Sequence, residues 1–264
     1  MEYNKIIKEV GRGKNHARDI DIDTARDLYR QMCRQSNLTP LLALLLSRLG
    51  FPVLMHGVSD DPTRVTSEAV FAELDIAPVA SAAEAQVKLE AGELAFITIG
   101  RLCPAIEQQL SLRWRMGVRN GAHTLAKLAT PFAEDAALRL ASVSHPEYIP
   151  RVGKFFSDIG GRGLLLNGTE GEVYANPQRC PSISLIAGTQ PEQLLECQEE
   201  VVLSDGALPG AKDAETTAAW LRRCLAQEVA VPQSLRLQIA CCYLATGRAA
   251  DLDGALELIT QAGF

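Results

Sequence analysis

Apolar residues along the chain follow two patterns, short continuous runs and longer stretches with helical spacing. The runs FPVLMHGV, LAFITIG, RLASVS and RGLLLNG are typical of buried strands that are covered on both faces. The segments between them, such as SEAVFAELDI and PEYIPRVGKFFSDIG, have the spacing of amphipathic helices. Strands that alternate with helices predict an α/β fold, in which a mainly parallel sheet is flanked by helices.

Helical spacing dominates two further regions. The segment NLTPLLALLLSRLG predicts a buried helix that ends at Gly50, because glycine readily adopts the conformation that closes a helix. After about Glu192, the segments DAETTAAWLRRCLAQ, PQSLRLQIACCYLATGR and DLDGALELITQAGF predict a helical tail packed on the sheet. Cys241 and Cys242 lie in the most apolar of these helices, so we expect them in the core rather than in redox chemistry.

Composition places the chain among ordinary globular proteins. It has 264 residues, of which 47% are hydrophobic and 22% are charged. Its seven cysteines are scattered and form no Cys-x-x-Cys pair, which favours reduced thiols in a cytoplasmic protein over disulfides or a zinc site. No segment has the length and apolarity of a transmembrane helix or a secretory signal, so we expect no contact with membranes.

Basic residues concentrate in two parts of a chain whose net charge is −6. The acidic excess lies in residues 187–264, which hold 11 acidic and 5 basic side chains. By contrast, residues 1–18 are locally basic, and residues 101–127 hold five cations against Glu107 alone. Such segments bind phosphates without reading bases, or they are simply solvated surface. The candidate nucleic-acid-binding residues are Lys5, Lys8, Arg12, Lys14, Arg18, Arg113 and Arg115.

The segment MGVRNGAHTLAKLATP places three cationic or potentially cationic side chains on one helical face. Arg119, His123 and Lys127 are spaced four residues apart, as neighbours on a helix surface are. They could form a catalytic site, a grip on an anion, or the solvated face of an ordinary helix. Just before them, Trp114 lies between two arginines, where its ring either stacks on a base or packs beneath a helix.

Several of these motifs together resemble the anthranilate phosphoribosyltransferase family, also called glycosyltransferase family 3. LMHGV is similar to the family's Lys-His-Gly turn, GVRNGAHTLAKLATP to its Gly-Ile-Arg segment, VSHPE to its His-Pro-Glu turn, and LNGTEGEVYANP to its His-Gly-x-x-Gly-Leu-Asp-Glu turn. The match is best with a divergent YbiB-type branch. This resemblance implies a homodimer that binds DNA or RNA without sequence preference and has no activity in tryptophan synthesis.

Measured against the family, the enzymatic parts of the chain are largely absent. The glycine-rich loop that cradles phosphoribosyl pyrophosphate is missing, and the acidic pair that holds Mg²⁺ corresponds to Val173 and Tyr174. We therefore expect no catalytic residue, no metal and no cofactor. A vestigial substrate pocket is predicted at His56, Gly57, Arg64, Arg119 and His123.

Two other functions stay open beside nucleic-acid binding. One is a transferase related to the family with an unknown acceptor, for which Mg²⁺ would be needed. The other is a dimer that binds a small anion in the vestigial pocket.

The resemblance also predicts the domain organisation. The family carries a long helical stretch where Cys33 and Arg34 are adjacent in this chain. Either the protein is shortened at this point, or an internal stretch is missing from the sequence between Cys33 and Arg34. We predict a helical domain over residues 1–50 that is shortened, with residues 102–116 as a candidate return segment. An α/β domain with a helical tail is predicted over residues 51–264.

Overall fold

The structure of the protein, a computed structural model, describes Asp21 and residues 36–133, 135–169, 171–198, 203 and 206–264. The helices in this part of the chain are α1 Thr39–Arg48, α2 Ser67–Glu73, α3 Ala82–Glu90, α4 Ile99–Leu102, α5 Pro104–Met116, α6 Ala122–Leu128, α7 Ile149–Asp158, α8 Ala214–Leu225, α9 Gln233–Ala245 and α10 Leu252–Gln261. The strands are β1 Leu54–Gly57, β2 Ala95–Thr98, β3 Leu138–Val143, β4 Arg162–Asn167, β5 Ile183–Ile186 and β6 Glu192–Leu195. None of the described helices is long and apolar enough to cross a membrane.

The described strands form two sheets. In the first sheet β1 and β2 are parallel, and His56 lies opposite Ile97. The second sheet has the order β3-β4-β5-β6, in which β3 and β4 are parallel and the other two pairs are antiparallel. The predicted α/β fold and its four predicted strands are confirmed.

The sequence pattern missed β5 and β6, and these two strands add antiparallel pairing to a sheet expected to be mainly parallel. Half of the four residues of β6 are exposed, as is usual for a strand at the edge of a sheet. The sequence of β6 has no continuous apolar run that would predict a strand. It is a strand because it pairs with β5.

The two faces of the second sheet pack against different helices. Leu164, Leu166 and Ile183 belong to the main core, which also contains apolar residues of α1, α8, α9 and α10. The neighbouring positions Ala141 and Leu165 belong to a smaller cluster on the other face, formed with α7. Helix α7 therefore lies on the side of the sheet opposite the main core.

The helices begin and end where the sequence provides the chemistry for it. The Oγ1 of Thr66 accepts a hydrogen bond from the Ala69 amide at the start of α2, and Asp213 and Asp251 cap α8 and α10 in the same way. Gly117 closes α5 at a φ of +71°, a left-handed conformation that favours glycine. Local sequence thus determines these boundaries.

The predicted core helices are confirmed, including the placement of the paired cysteines. Cys241 and Cys242 are 0% and 2% exposed in α9. Burial raises the pKa of the Cys241 thiol to about 12, so it stays protonated at neutral pH. Helix α1 also packs into the main core, beside α9. The predicted domain boundary at residue 50 stays a prediction, because most of residues 1–35 lies outside the described part.

Candidate anion-binding cleft

A cleft of about 860 Å³ opens beside the carboxyl end of β1, with the loop before α2, helices α5 and α6, and strand β3 around it. Four of the five predicted pocket residues line this cleft, namely His56, Gly57, Arg64 and His123. The fifth, Arg119, is exposed just before α6, and its charge still acts on side chains inside the cleft. The structure thus brings the predicted pocket residues to one region, although they come from separate elements.

Asp61 joins two of the arginines in the cleft. Its Oδ2 lies 3.0 Å from Arg113 Nη1 and 3.3 Å from Arg64 Nε. Its Oδ1 accepts hydrogen bonds from the backbone amide and the hydroxyl of Thr63. Burial by itself raises the pKa of Asp61, but the Thr63 hydrogen bonds and the two guanidinium charges outweigh it and leave the pKa below its ordinary value. The carboxylate therefore ties the loop before α2 to α5.

His123 lies in a region of positive potential. Burial is the main cause of its lowered pKa, and a hydrogen bond with the Asn120 backbone opposes that effect. The charges of three guanidinium groups lower the pKa further, those of Arg119, Arg113 and Arg64. An imidazole in this field is neutral at pH 7, so the positive charge of the cleft comes from lysine and arginine.

The predicted His-Gly pair lies at the carboxyl end of β1. Burial lowers the pKa of His56, and a hydrogen bond with the Ala129 backbone opposes the shift. Gly57 lies against an aromatic ring, since a Cβ at that position would be 3.6 Å from Cε2 of Phe96. The pair thus forms a neutral, closely packed wall of the cleft.

Lys127 is a functional candidate that the predicted set of site residues did not include. It lies one turn after His123 on α6, and both side chains line the cleft. Its Nζ donates to the Ser142 carbonyl at 3.4 Å. Burial lowers its pKa most, the Glu172 charge opposes this, and the charges of Arg64 and Arg119 lower it further. The four-residue spacing from Arg119 through His123 was the signal that could have placed it in the site.

The turn after β4 supplies a carboxylate and a glycine that were also missing from the predicted site. Oε1 of Glu172 lies 3.6 Å from Arg64 Nη1, and its Oε2 accepts a hydrogen bond from Thr39 Oγ1 at 3.0 Å. Gly171, before it, has a φ of +95°. Both residues line the cleft because this turn lies at the carboxyl end of the parallel pair β3 and β4.

The two positions that correspond to the family's Mg²⁺ ligands do not fit a hard cation. Val173 has no oxygen in its side chain, and it packs against the main core. Tyr174 is 2% exposed, and its hydroxyl donates to the Ser36 carbonyl at 2.9 Å. Mg²⁺ prefers carboxylate and phosphate oxygens, which neither residue can supply.

The carboxyl end of α5 carries a cationic surface that adjoins the cleft, since Arg113 and Trp114 also line the cleft. No residue of this helix is buried, and Trp114 is 49% exposed. The guanidinium of Arg113 lies 4.5 Å from the centre of the Trp114 ring, and Arg115, the next residue in the sequence, is exposed. The tryptophan is therefore not packed beneath a helix, and the Arg113 guanidinium lies over its ring. The other predicted nucleic-acid-binding residues, Lys5, Lys8, Arg12, Lys14 and Arg18, lie outside the described residues.

Two known proteins show the sequence relationship of this chain. The protein YbiB of Escherichia coli strain K12 is 49% identical in an alignment that covers 99% of this chain and 100% of YbiB. The alignment runs over 321 positions, more than the 264 residues here, so YbiB carries residues that have no counterpart in this chain. An anthranilate phosphoribosyltransferase of Frankia alni is 29% identical over 155 residues, which are 59% of this chain and 42% of that enzyme. No family model matches the sequence.

Solved structures of anthranilate phosphoribosyltransferases share the fold. The enzyme of Thermus thermophilus superposes with a TM-score of 0.67 at 22% identity, over 87% of this chain and 69% of the enzyme. The enzyme of Saccharomyces cerevisiae in complex with PRPP and Mg superposes with a TM-score of 0.59 at 12% identity, over 88% of this chain and 67% of that enzyme. The predicted phosphoribosyltransferase architecture is confirmed by these similarities.

Proposed function

Because the chain belongs to the YbiB family, whose fold is that of anthranilate phosphoribosyltransferase, we propose that it is a non-catalytic, homodimeric protein that binds nucleic acid without sequence preference. The observation that carries this proposal is the exposed basic and aromatic end of α5. The Trp114 side chain is 49% exposed there, the Arg113 guanidinium lies over its ring, and Arg115, the next residue in the sequence, is exposed. The chain has no Asp or Glu between Glu107 and Glu134, so no acidic residue of this segment neutralises the surface.

This chemistry suits a phosphate backbone with unpaired bases beside it. Guanidinium groups neutralise phosphates and release counterions, which gives affinity that does not depend on sequence. An exposed tryptophan offers a stacking platform for any base, because every base has a π-face. Arg113 is partly committed to Asp61, so Arg115 is the better test residue of the two.

Pairing of two copies would extend the cationic surface. When a partner protomer presents the same surface, the two cationic surfaces together can contact a longer stretch of nucleic acid. The second protomer then binds at a high effective concentration, which raises the overall affinity. The region around α5 also exposes large apolar side chains, with Met116, Val118 and Leu125 more than half exposed. Such a patch is typical of surfaces that contact a partner. Sedimentation equilibrium should therefore give twice the protomer mass of 28.6 kDa.

The binding proposal is tested by fluorescence anisotropy with labelled oligonucleotides at several salt concentrations. If about four to six phosphates are neutralised, log affinity should fall with log salt at a slope of about −4 to −5 on duplex DNA. Two unrelated duplex sequences should bind with equal affinity, since phosphate contacts carry no sequence information. No binding to any DNA or RNA at low salt, or strong preference for one sequence, would refute the proposal.

Charge reversal locates the surface. Arg115→Glu should weaken binding to all sequences alike and reduce the salt slope. Arg179→Glu is the matched control, because Arg179 is an exposed arginine in the loop before β5. The triple reversal of Lys8, Arg12 and Lys14 tests the amino-terminal segment in the same assay. If Arg115→Glu and Arg179→Glu bind alike, α5 is not the interface.

A further inference from the structure

We propose that the protein binds an extended apolar segment of a partner protein, which enters the cleft between β1 and β3 and joins the two sheets as an added strand. The part of the cleft between these two strands is the inter-sheet groove. This interaction does not depend on the proposed binding of nucleic acid.

The facing edges of the two sheets line the inter-sheet groove. The successive residues Leu54 to Gly57 of β1 line the cleft, and so do the successive residues Leu138 to Leu140 of β3. Because side chains alternate between the two faces of a strand, a cavity lined by successive residues runs along the edge of that strand. In the described part of the chain β1 pairs only with β2 and β3 only with β4, and no residue of β2 or β4 lines the cleft. The outer backbone N–H and C=O groups of β1 and β3 are therefore directed toward the groove.

The amino ends of β1 and β3 lie close together. Arg248, just after α9, donates to the Gly50 carbonyl at 3.1 Å, and its guanidinium lies 4.2 Å from the centre of the Phe51 ring, shortly before β1. Arg162, which is paired with the first residue of β3, donates to the Ala245 carbonyl at the end of α9. Both amino ends therefore meet the carboxyl end of α9.

The carboxyl ends of the two strands also lie close together. Arg64 Nη1, from the loop after β1, and Ser144 Oγ, next to the end of β3, lie 3.5 and 3.9 Å from the position that a Cβ would occupy on Gly171. Strands that bring both their amino ends and their carboxyl ends together are parallel, so an inserted strand pairs with both edges in the same sense. Such a segment uses both of its backbone edges at once, as an interior strand of a sheet does.

Apolar residues of helices cover both faces of the inter-sheet groove. Leu42 and Leu46 of α1 line the cleft, and so does Leu89 of α3. The neighbouring residues Met55 and Leu54 of β1 pack in two different clusters, the first with α1 and the second with α3, so these helices lie on opposite faces of the sheet. A strand in the groove would be buried on both faces, which requires a continuous run of apolar residues.

The edges of β1 and β3 lack the residues that usually protect a free sheet edge. Exposed edges commonly carry charged side chains or proline, which prevent pairing with another chain. Neither strand contains proline, and Arg139 is the one lysine, arginine, aspartate or glutamate in them. Its guanidinium lies 5.7 Å from the centre of the Phe156 ring, which belongs to the cluster formed with α7. Both strands thus have the composition of interior strands.

The occupant comes from a different protein, because this chain offers no suitable segment. Residues 1–35 contain no more than three successive residues without a charged side chain. The apolar runs in the described part of the chain already form strands and core helices, so a second copy would have to unfold one of them. We therefore commit to a partner that supplies an extended, uncharged apolar run and pairs by its backbone, with side-chain contacts on both faces.

Fluorescence anisotropy with two matched peptides tests the groove on the unaltered protein. The first probe is fluorescein-Lys-Gly-Val-Ile-Val-Ala-Val-Gly-Lys-amide, and the second has the same side chains with N-methyl groups on its two central apolar residues. Successive residues of a strand direct their N–H groups to opposite edges, so the two methyl groups block one hydrogen bond on each side. The first probe should bind saturably, and the methylated probe should bind at least about tenfold more weakly.

A change in the wall of the groove should act on the same binding. Leu140→Lys places a charge where the apolar run must pack, and it should weaken binding of the first probe about tenfold or more. Val87→Lys is the matched control, because Val87 is 66% exposed on α3 and does not line the cleft. If Leu140→Lys does not fold, the comparison of the two probes on the unaltered protein decides the question.

Amide hydrogen exchange locates the bound peptide. Residues 53–58 and 137–142 should exchange more slowly when the first probe is present, whereas α10 should be unchanged. Equal binding of the two probes overturns the proposal, because it would show apolar contact without strand pairing. No saturable binding, or slower exchange confined to other elements, also overturns it. Edges that exchange slowly in the protein alone, and lose this protection on dilution, would identify a second copy as the occupant and overturn the assignment to a partner protein.

Discussion

Asp61→Asn should destabilise the protein while it makes the cleft more attractive to anions. The carboxylate is 8% exposed and binds Arg113 and Arg64 through the same oxygen. In the asparagine variant the amide keeps its carbonyl toward Thr63, so its NH₂ group points at the two guanidinium groups. The charge-assisted hydrogen bond from Arg113 and the ion pair with Arg64 are lost, and each is worth at most about 1.5–3 kcal/mol.

The expected loss is smaller than that sum, because Arg64 is 27% exposed and water will solvate it in the variant. We expect a loss of about 2–3 kcal/mol in the free energy of unfolding. With an unfolding entropy of about 2.1 cal/mol/K per residue, this corresponds to a fall of about 4–5 °C in Tm. Thermal and urea unfolding followed by circular dichroism measure both quantities.

The pH dependence gives an independent check on the cause. The folded-state pKa of Asp61 lies below its ordinary value of 3.8. The stabilisation is therefore present above the unfolded-state pKa and is lost as the pH falls through the folded-state pKa. The difference in the free energy of unfolding between the protein and its Asp61→Asn variant should be constant from about pH 6 to pH 8 and should shrink below about pH 4.

Asp60→Asn is the matched control for Asp61→Asn. Asp60 is the exposed neighbour that makes no ion pair among the described residues, and its replacement changes the net charge equally. It should leave Tm within about 1 °C. If the two variants have the same stability, or if anion affinity falls in Asp61→Asn, the carboxylate does not hold the loop and α5 as described.

Three further predictions concern the core, the thiols and the absent chemistry. Gln238→Leu should lower the free energy of unfolding, measured in urea, by about 2–4 kcal/mol, because the buried side-chain amide accepts a hydrogen bond from the Ala175 amide and donates one to the Val173 carbonyl. Gln233→Leu is the control and should change this free energy little, since Gln233 is exposed. Iodoacetamide at pH 8 should modify exposed Cys197 long before Cys224 or Cys241, because burial raises the pKa values of these two thiols to about 12. Peptide mass spectrometry measures the order of labelling, and early labelling of Cys241 would contradict its burial. With phosphoribosyl pyrophosphate, Mg²⁺ and anthranilate we expect no transfer, and turnover that scales with protein and stops on chelation would show that Val173 and Tyr174 had been misjudged.

Local sequence by itself determined most of the elements and their boundaries. The apolar runs predicted β1 to β4 because a strand buried on both faces needs continuous apolar residues. Gly50 marked the end of α1 for a similarly local reason, because glycine readily adopts the positive φ that it has there. The paired cysteines of α9 were placed in the core correctly, because an apolar helix must bury its surface. The predicted nucleic-acid-binding role of the basic residues from Lys5 to Arg18 stays a prediction, because these residues lie outside the described part of the chain.

Only the tertiary structure decided how the cleft is built. Strands β5 and β6 depend on pairing partners that lie across the sheet, so their short sequences carry little signal. Asp61, Lys127, Ser142 and Glu172 come from four separate segments, and nothing in their local sequence states that they share a cavity. The shifted pKa values of Asp61 and Lys127, and the ion pairs of Asp61 and Glu172 with Arg64, arise from short distances between residues of separate segments. Local preferences are thus readable from neighbouring residues, whereas the electrostatics of the cleft exists only once folding has brought these charges within a few ångströms of one another.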